Sequence, residues 1–175
     1  MLSVGCLLIG TNAERNMRLR QELSDRGILT VCGEWRSDLL KDMQKELYGV
    51  RKQAARICVA AEGEMWTAAL ALAVQLCVDR VVLIHPSAGN GVQDSCMRRQ
   101  LNRLNGYVKR NLFFCVSDLL VVDPEMEMRR DMDAVLGRMV NARIWRMRAA
   151  SGDVAEPTVR FMLCDDFGKT EYACE

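Results

Sequence analysis

Residues 56–73, RICVAAEGEMWTAALALA, decide the fold prediction, because an apolar run, a turn of small residues and an alanine-rich run follow one another without a break. The first part, RICVA, is a short continuous apolar run, which is typical of a strand buried on both faces of a sheet. The part from Met65 to Cys77 is apolar on all sides and rich in helix formers, which predicts a buried helix. The stretch therefore predicts a strand, a tight turn and a helix.

The same alternation continues along the chain. Strands are predicted at residues 4–9, 28–33, 56–60, 80–84, 111–117 and 142–147. Thr11 and Glu14 form a capping box for a helix that Gly27 stops, and Asp123 followed by Pro124 begins another helix. A final helix is predicted within residues 154–167. Buried strands alternating with helices indicate an α/β fold of three layers, α/β/α, with a doubly wound, mostly parallel sheet of about six strands. Since no linker or repeat interrupts the pattern, residues 1–175 are expected to form a single domain.

Charge and hydropathy exclude several classes of protein. The 175 residues carry 24 Lys and Arg against 23 Asp and Glu, a balance that argues against a nucleic-acid or membrane partner. The basic stretch from Arg98 to Arg110 is interpreted as a solvated helix face. No run approaches the ~18 apolar residues of a membrane span, and the N-terminus lacks the basic region of a signal peptide. We expect a cytoplasmic protein.

Cysteine and glycine patterns point away from metals and cofactors. The eight cysteines include no CxxC pair, and His85 is the single histidine, so a zinc site has little support. Several cysteines lie inside apolar runs and are interpreted as buried, reduced thiols. The first loop, IGTNAERN, lacks the GxGxxG pattern of dinucleotide sites, and a Walker lysine is absent. We expect no metal and no cofactor.

Function should lie in the loops that follow the strands, because ligands of parallel sheets bind outside the carboxyl ends of the strands. These loops are Gly10 to Asn12, Glu34 to Ser37, Ala60 to Glu64, His85 to Gly91, Ser117 to Asp123 and Arg148 to Asp153.

The strand, turn and helix of ICVAAEGEMWTAALALA resemble the nucleophile elbow of the α/β-hydrolase family, which is written GxSxG. CLLIGTN resembles the entry strand of that family, VDRVVLIHPSAG the strand after the elbow, and NLFFCVSDLLVVDPEMEMRRDMDAVL the strand that ends in the acid of the triad with its helix. ARIWRMRAASGD resembles the last strand, which leads to the catalytic histidine. The resemblance covers about residues 4 to 165, and it starts at the family's third strand.

The resemblance also implies which positions would form a catalytic triad. Glu62 stands at the nucleophile position, and a shift of one residue puts Gly63 there instead. Asp118 matches the acid, and Asp153 matches the histidine position after the last strand. Neither register supplies a serine or cysteine, and no histidine follows the last strand, so the acyl-transfer mechanism of the family lacks its nucleophile and base. Glu62 and Glu64 are alternatively helix N-terminal acids that favour the helix dipole.

We therefore expect a binding or assembly module without standard ester hydrolase activity, which takes a small-molecule ligand. The alternatives are a hydrolase with a non-standard catalytic set around Asp118 and Glu62, and a structural or regulatory homodimer. The loops holding Glu62, Asp118 and Asp153 are expected to converge into an acidic site. The candidate pocket-lining residues are Gly10, Thr11, Asn12, Gly63, Glu64, Met65, His85, Ser87 and Ser117. Displaced nucleophiles are sought at Ser87, Ser95, Cys96 and Ser117.

The family's sheet order predicts an exposed edge. In that order the strand at residues 28–33 would be flanked by two strands that precede the resemblance. The apolar edge of Ile28, Leu29 and Val31 carries neither lysine nor proline to prevent pairing. We therefore expect a two-fold homodimer, formed through this edge or the helices beside it.

Overall fold

The computed structural model describes residues 2–10, 13–34, 39–87, 102, 104–106, 110, 116–123, 130–139, 141–149, 153–165 and 167. Within this part of the chain, strands and helices alternate as predicted. The elements are β1 (Leu2–Gly10), α1 (Ala13–Asp25), β2 (Leu29–Glu34), α2 (Leu39–Arg51), β3 (Ala54–Glu62), α3 (Trp66–Leu76), β4 (Arg80–Ile84), β5 (Asp118–Val122), α4 (Arg130–Leu136), β6 (Arg143–Met147) and α5 (Ala155–Leu163). A 3-10 turn, Gly63–Met65, joins β3 to α3.

The strands form one sheet in the order β2-β1-β3-β4-β5-β6, and every pairing in it is parallel. Because all these strands are parallel, they all begin at one end of the sheet, the amino end, and finish at the opposite end, the carboxyl end. β4 and β5 are buried along their full lengths, as expected for continuous apolar strands. β2 and β6 are the outer strands of the described sheet, which confirms the predicted edge at residues 28–33.

Helices cover both faces of the sheet, which confirms the three-layer prediction. One apolar core holds Leu7, Val59 and Leu83 of the sheet together with α2, α3 and α4. The other core holds Leu8 and Val82 together with α1 and α5. Alternate side chains of each strand therefore enter opposite cores, and the alanine-rich α3 is buried from Trp66 to Ala73.

The limits of β5 differ from the prediction. The predicted strand covered residues 111–117, whereas β5 is Asp118–Val122. Residues 111–115 lie outside the described part, and Ser117 precedes the strand. Arg143 Nε lies 2.7 Å from Asp118 Oδ1, so the charge of this carboxylate is compensated at the start of the strand.

Two of the predicted helix limits can be compared with the structure. Gly27 adopts φ +77, and the backbone N–H of Ile28 donates to Leu23 O at 3.0 Å, which confirms the glycine stop of α1. The predicted starts at Thr11 and Pro124 lie outside the described residues. No described helix is long and apolar enough to cross a membrane.

The described cysteines occupy different environments. Cys6 and Cys58 are fully buried on paired strands, and burial raises the pKa of the Cys58 thiol to about 12. Cys77 is exposed, contrary to the interpretation of the cysteines as buried thiols. No disulfide joins any two of Cys6, Cys32, Cys58, Cys77 and Cys164.

Candidate functional site

The turn after β3 has the backbone of a sharp elbow. Glu62 is extended, with φ −103 and ψ 143, whereas Gly63 adopts φ +62 before the chain enters α3. A nucleophile elbow holds its central residue in this strained left-handed region. Of the two registers left open by the sequence, the backbone therefore selects Gly63 as the elbow residue. Glu62 is the buried last residue of β3 and has 7% of its surface exposed.

A serine from the turn after β4, the neighbouring strand, lies beside this elbow. A Cβ added to Gly63 would lie 3.5 Å from Ser87 Oγ, an ordinary van der Waals contact. Ser87 follows β4 by three residues, and the indole Nε1–H of Trp66 donates to its carbonyl oxygen at 3.3 Å. The hydroxyl of Ser87 therefore borders the space that an elbow side chain would enter.

The turn after β4 holds a strained backbone conformation. His85 adopts φ +43, which is uncommon for a residue with a Cβ, and its backbone N–H donates to Val122 O at 2.7 Å. This bond ties the start of the turn to the end of β5. Because Ile84 pairs with Val122 in the sheet, His85 and Asp123 each follow one member of the same residue pair.

Asp123 is the acid at the carboxyl end of β5. It is 3% exposed, and its backbone N–H donates to Met147 O at 3.0 Å, at the end of β6. Sequence reasoning assigned Asp123 only a helix-capping role, because β5 was placed too early in the chain. The information that could have identified it is the second apolar run, DLLVV, which ends directly before it.

Glu64 is a carboxylate of the turn after β3. It is half-buried, and desolvation by burial raises the pKa of its carboxyl above the ordinary value. Gly63, Glu64, His85 and Ser87, four of the predicted pocket-lining residues, belong to the turns after β3 and β4. These turns follow paired strands, since Glu62 pairs with Ile84.

Asp118 does not belong to this site, and the prediction that its loop converges with that of Glu62 is wrong. Asp118 is the first residue of β5 and lies at the amino end of the sheet, about 13 Å from the carboxyl end along the strand. Ser117 lies there too, with its hydroxyl 3.0 Å from Asp118 Oδ2 and 3.1 Å from Asp79 O. Neither residue lines the carboxyl-end site.

Asp153 is also remote from the elbow. It lines a cleft of about 290 Å³ with the C-terminal end of α1, including Glu22, Asp25 and Arg26. α1 runs from the carboxyl end of β1 to the amino end of β2, so this cleft lies toward the amino end. The carboxylate of Asp153 accepts a bond from the backbone N–H of Ala155 at 3.2 Å, at the start of α5. The predicted acidic site of three converging loops is therefore not formed.

The other predicted lining residues have simpler roles. Met65 is 2% exposed and belongs to the apolar core under α3. The side chain of Asn16 fills the space beside Gly10. Thr11, Asn12, Ser95 and Cys96 lie outside the described residues. Among the described residues, no group of three or more histidine, cysteine and acidic side chains could hold a metal ion.

At the amino end, buried charges fasten α5 to the sheet. Arg80 Nε lies 3.8 Å from Asp118 Oδ2, and both side chains are 6% exposed. The Arg80 guanidinium also donates to the carbonyl oxygens of Phe161 and Cys164, the latter at 2.8 Å, and its Cζ lies 5.5 Å from the centroid of the Phe161 ring. A cation at these terminal carbonyls is favoured by the helix dipole. The predicted triad acid is thus a structural residue.

Solved structures that are similar to this chain include three whose likeness covers most of both chains. Est1E from Butyrivibrio proteoclasticus matches with a TM-score of 0.61 and 11% identity, over 92% of this chain and 86% of that one. A metagenome-derived lipolytic enzyme of the LipS and LipT pair matches with a TM-score of 0.58 and 8% identity, over 85% and 86%. The N-formylmaleamic acid deformylase of Pseudomonas putida S16 matches with a TM-score of 0.50 and 10% identity, over 94% and 90%.

These likenesses, with the parallel sheet and the elbow, establish an α/β-hydrolase-like fold for the chain. Its structural neighbours are hydrolases. No protein-family model matches the sequence, and no curated protein matches it.

Proposed function

We propose that this protein is a small-molecule-binding or assembly module built on an α/β-hydrolase-like fold, without standard ester hydrolysis at its elbow. The observation that carries the proposal is Gly63, which occupies the left-handed elbow position with φ +62. Covalent acyl transfer needs a nucleophilic oxygen or sulfur at that point. Glycine has no side chain to supply one.

The position of the base points in the same direction. In the family that the sequence resembles, the catalytic histidine follows the last strand, and here Arg148 and Ala149 follow β6. The single histidine of the chain, His85, follows β4. The nucleophile and the catalytic histidine of the family are therefore both absent from their usual positions.

A binding role is supported by backbone strain in the turn after β4, beside the elbow. His85 adopts positive φ, which costs a residue with a Cβ about 1–2 kcal/mol, whereas Gly63 adopts positive φ without strain. Strain of this kind persists where the surrounding structure enforces it, and it is concentrated at ligand sites. The turns after β3 and β4 are also the place where ligands of parallel sheets bind.

A hydrolase built around Asp118 and Glu62 is not proposed, because the two carboxylates lie at opposite ends of the sheet. Asp118 begins β5, whereas Glu62 ends β3. A single substrate group cannot reach both.

The experiment combines turnover with ligand binding. The wild type is expected to give no sustained hydrolysis of 4-nitrophenyl acetate above the rate with heat-denatured protein. Methyl butyrate, a short ester, is expected to shift the NMR resonance of the Trp66 indole N–H, because this group bonds to Ser87 O beside the elbow. The Trp145 indole, on the outer strand β6, serves as the internal control and should not shift.

Sustained turnover by the wild type would contradict the proposed absence of hydrolysis. A Trp66 resonance that stays unchanged while Trp145 shifts would contradict binding at the elbow. The Trp66→Phe variant assigns the resonance.

Assembly through β2 is a second candidate, favoured by the position of that strand at the sheet edge. Leu29 and Val31 are half-buried there, whereas β4 and β5 inside the sheet are buried along their full lengths. An edge strand with unpaired backbone groups is a template for pairing with another chain. We propose a two-fold homodimer formed along β2.

Sedimentation of the wild type and of Val31→Lys tests the dimer. The wild type is expected to sediment as a dimer and the variant as a monomer, since lysine on an edge strand opposes pairing. Lys45→Ala, an exposed change on α2, is the matched control and should leave the dimer intact. A monomeric wild type at high protein concentration would remove this candidate.

A further inference from the structure

We propose that a cavity between the C-terminal ends of α2 and α3 is a second ligand site, which takes a small aromatic carboxylate. The cavity has a volume of about 250 Å³. It lies toward the amino end of the sheet, because α2 leads from the carboxyl end of β2 to the start of β3, and α3 leads from the elbow to the start of β4. The site is therefore separate from the elbow and goes beyond the function proposed above.

The inner wall of the cavity is apolar. Leu47 of α2 and Ile57 of β3 line it, and they are 2% and 3% exposed. Leu76, the last residue of α3, is half-buried and completes this wall. Ligand sites are typically lined by apolar side chains with a few polar groups that fix orientation, and those for drug-sized molecules measure roughly 300–1,000 Å³. The cavity therefore suits a smaller molecule with an apolar body.

The charged residue that lines the cavity is Arg51, at the end of α2. Its guanidinium donates from Nη1 to the carbonyl oxygen of Leu76, which holds the end of α2 against the end of α3. No described acid forms an ion pair with Arg51. A guanidinium carries five N–H donors in a planar fork, so one that is fixed by a single bond has further donors for a carboxylate. The polar group of the ligand is therefore a planar anion.

The other charges near the cavity oppose an anion, so recognition depends on Arg51. Both α2 and α3 end at the cavity, and the C-terminal end of a helix dipole is negative. Asp79 precedes β4, and its carboxylate accepts a bond from the backbone N–H of Ile57 at 2.8 Å. Removal of the Arg51 charge should therefore leave no attraction for a carboxylate.

An aromatic ring makes the cavity better suited to an aromatic acid than to an aliphatic one. Tyr48 lines the cavity although it is 60% exposed. Tyr48 and Arg51 lie three positions apart on α2, so they share one face of the helix. Aromatic pairs gain from offset-stacked or edge-to-face contact beyond the area that they bury. A ligand ring on the apolar wall can contact Tyr48 while its carboxylate binds Arg51.

The probe is 2-naphthoate, and its matched control is 2-naphthamide, which has the same rings and a neutral polar group. Titrations of the full chain are followed through the NMR resonance of the Cys77 backbone N–H, because Cys77 lines the cavity and this group donates to Ala73 O. We expect 2-naphthoate to bind with a Kd of about 1 mM, and 2-naphthamide about tenfold more weakly. The Trp66 indole N–H at the elbow is the internal control and should not shift.

Variants of Arg51 test the fork. Arg51→Gln keeps a donor for Leu76 O but loses the charge, and should weaken 2-naphthoate binding at least about tenfold. Arg51→Lys keeps the charge without the fork and should bind with intermediate affinity. Lys52→Gln is the matched control, because it removes an exposed charge next to Arg51 that does not line the cavity, and it should bind like the wild type. Circular dichroism checks folding.

The outcomes separate this site from the elbow. An unchanged Cys77 resonance, equal binding of the two naphthalene compounds, or equal losses in Arg51→Gln and Lys52→Gln would each overturn the inference. A Trp66 shift without a Cys77 shift would also overturn it, and would support binding at the elbow instead. The comparison of the two compounds on the wild type decides the matter even if Arg51→Gln fails to fold. Methyl butyrate binding at the elbow is tested independently, because it is followed through Trp66.

Discussion

The two ends of the same sheet are built on different principles. At the amino end, the Asp118 carboxylate of β5 pairs with Arg80 of β4 and with Arg143 of β6. At the carboxyl end, His85 holds a strained left-handed backbone conformation, and Gly63 in the adjacent turn adopts the same region without strain. The amino end therefore contributes stability by fastening α5 to the sheet. At the carboxyl end, the strained backbone of His85 costs stability instead.

The largest expected effect is the loss of the amino-end charge pairing. Arg80→Ala should reduce the free energy of unfolding by about 3–5 kcal/mol, because it leaves the buried Asp118 carboxylate without its buried partner. It also removes the bonds to the carbonyls of Phe161 and Cys164. Urea denaturation measures the change.

Arg143→Ala is the matched control for this prediction. Arg143 contacts the same carboxylate, but its side chain is 60% exposed, so the loss should be about 1 kcal/mol or less. Equal losses for the two variants would show that burial of Arg80 adds nothing, and the contrast between the two ends would weaken.

A smaller effect is expected from the two glycines with positive φ. Gly63→Ala at the carboxyl end and Gly27→Ala at the amino end should each cost about 1–2 kcal/mol, because alanine is strained in the left-handed region. A Cβ meets nothing within 4 Å at Gly27 and only an ordinary contact at Gly63, so strain is the shared cause.

Denaturant unfolding of both alanine variants checks this equality. A far larger loss at Gly63 than at Gly27 would mean that the space beside the elbow is closed. Such a result would remove the basis for ligand entry at the elbow.

Glycine substitutions that relieve backbone strain should change the free energy of unfolding by different amounts at the two ends of the sheet. Cys77 is exposed at the end of α3 with φ +48, so Cys77→Gly should raise the free energy of unfolding by about 0.5–1 kcal/mol. His85→Gly relieves similar strain but removes a half-buried side chain, so its gain should be smaller. Thermal unfolding of both variants gives the ranking, and a larger gain for His85→Gly would contradict it.

The smallest effect concerns Glu64. Burial raises the pKa of its carboxyl, so its contribution to stability is complete below the ordinary value of 4.5 and is lost as the pH rises through the raised value. Glu64→Gln should therefore stabilise the protein more at about pH 7 than at about pH 3.5, by a small amount because solvent screens the partly exposed carboxyl.

Unfolding at both pH values and an NMR titration of the Glu64 carboxyl test this prediction. Glu46→Gln, an exposed change on α2, is the control and should show no such contrast. A Glu64 midpoint below 4.5 would reverse the sign of the effect.

Much of the fold could be predicted because its determinants are local. The apolar run from Val4 to Ile9, the glycine stop at Gly27 and the apolar α3 each specify their own conformation through side-chain pattern and backbone freedom. The elbow could be located in the same way. Its central residue could not, since Glu62 and Gly63 are adjacent and the sequence accepts either register.

The sequence by itself determined a buried, parallel α/β sheet with an elbow that lacks serine and cysteine, because residue pattern dictates which segments are buried and which turn sharply. Only the tertiary structure decided at which end of the sheet the acids Asp118 and Asp123 lie. The apolar segment from Leu112 to Val122 is nearly continuous, so the limits of β5 depend on pairing with β4 and β6, which places Asp118 at the start of β5 and Asp123 directly after it. The approach of Ser87 to Gly63 has the same origin, since it is set by the register between neighbouring strands.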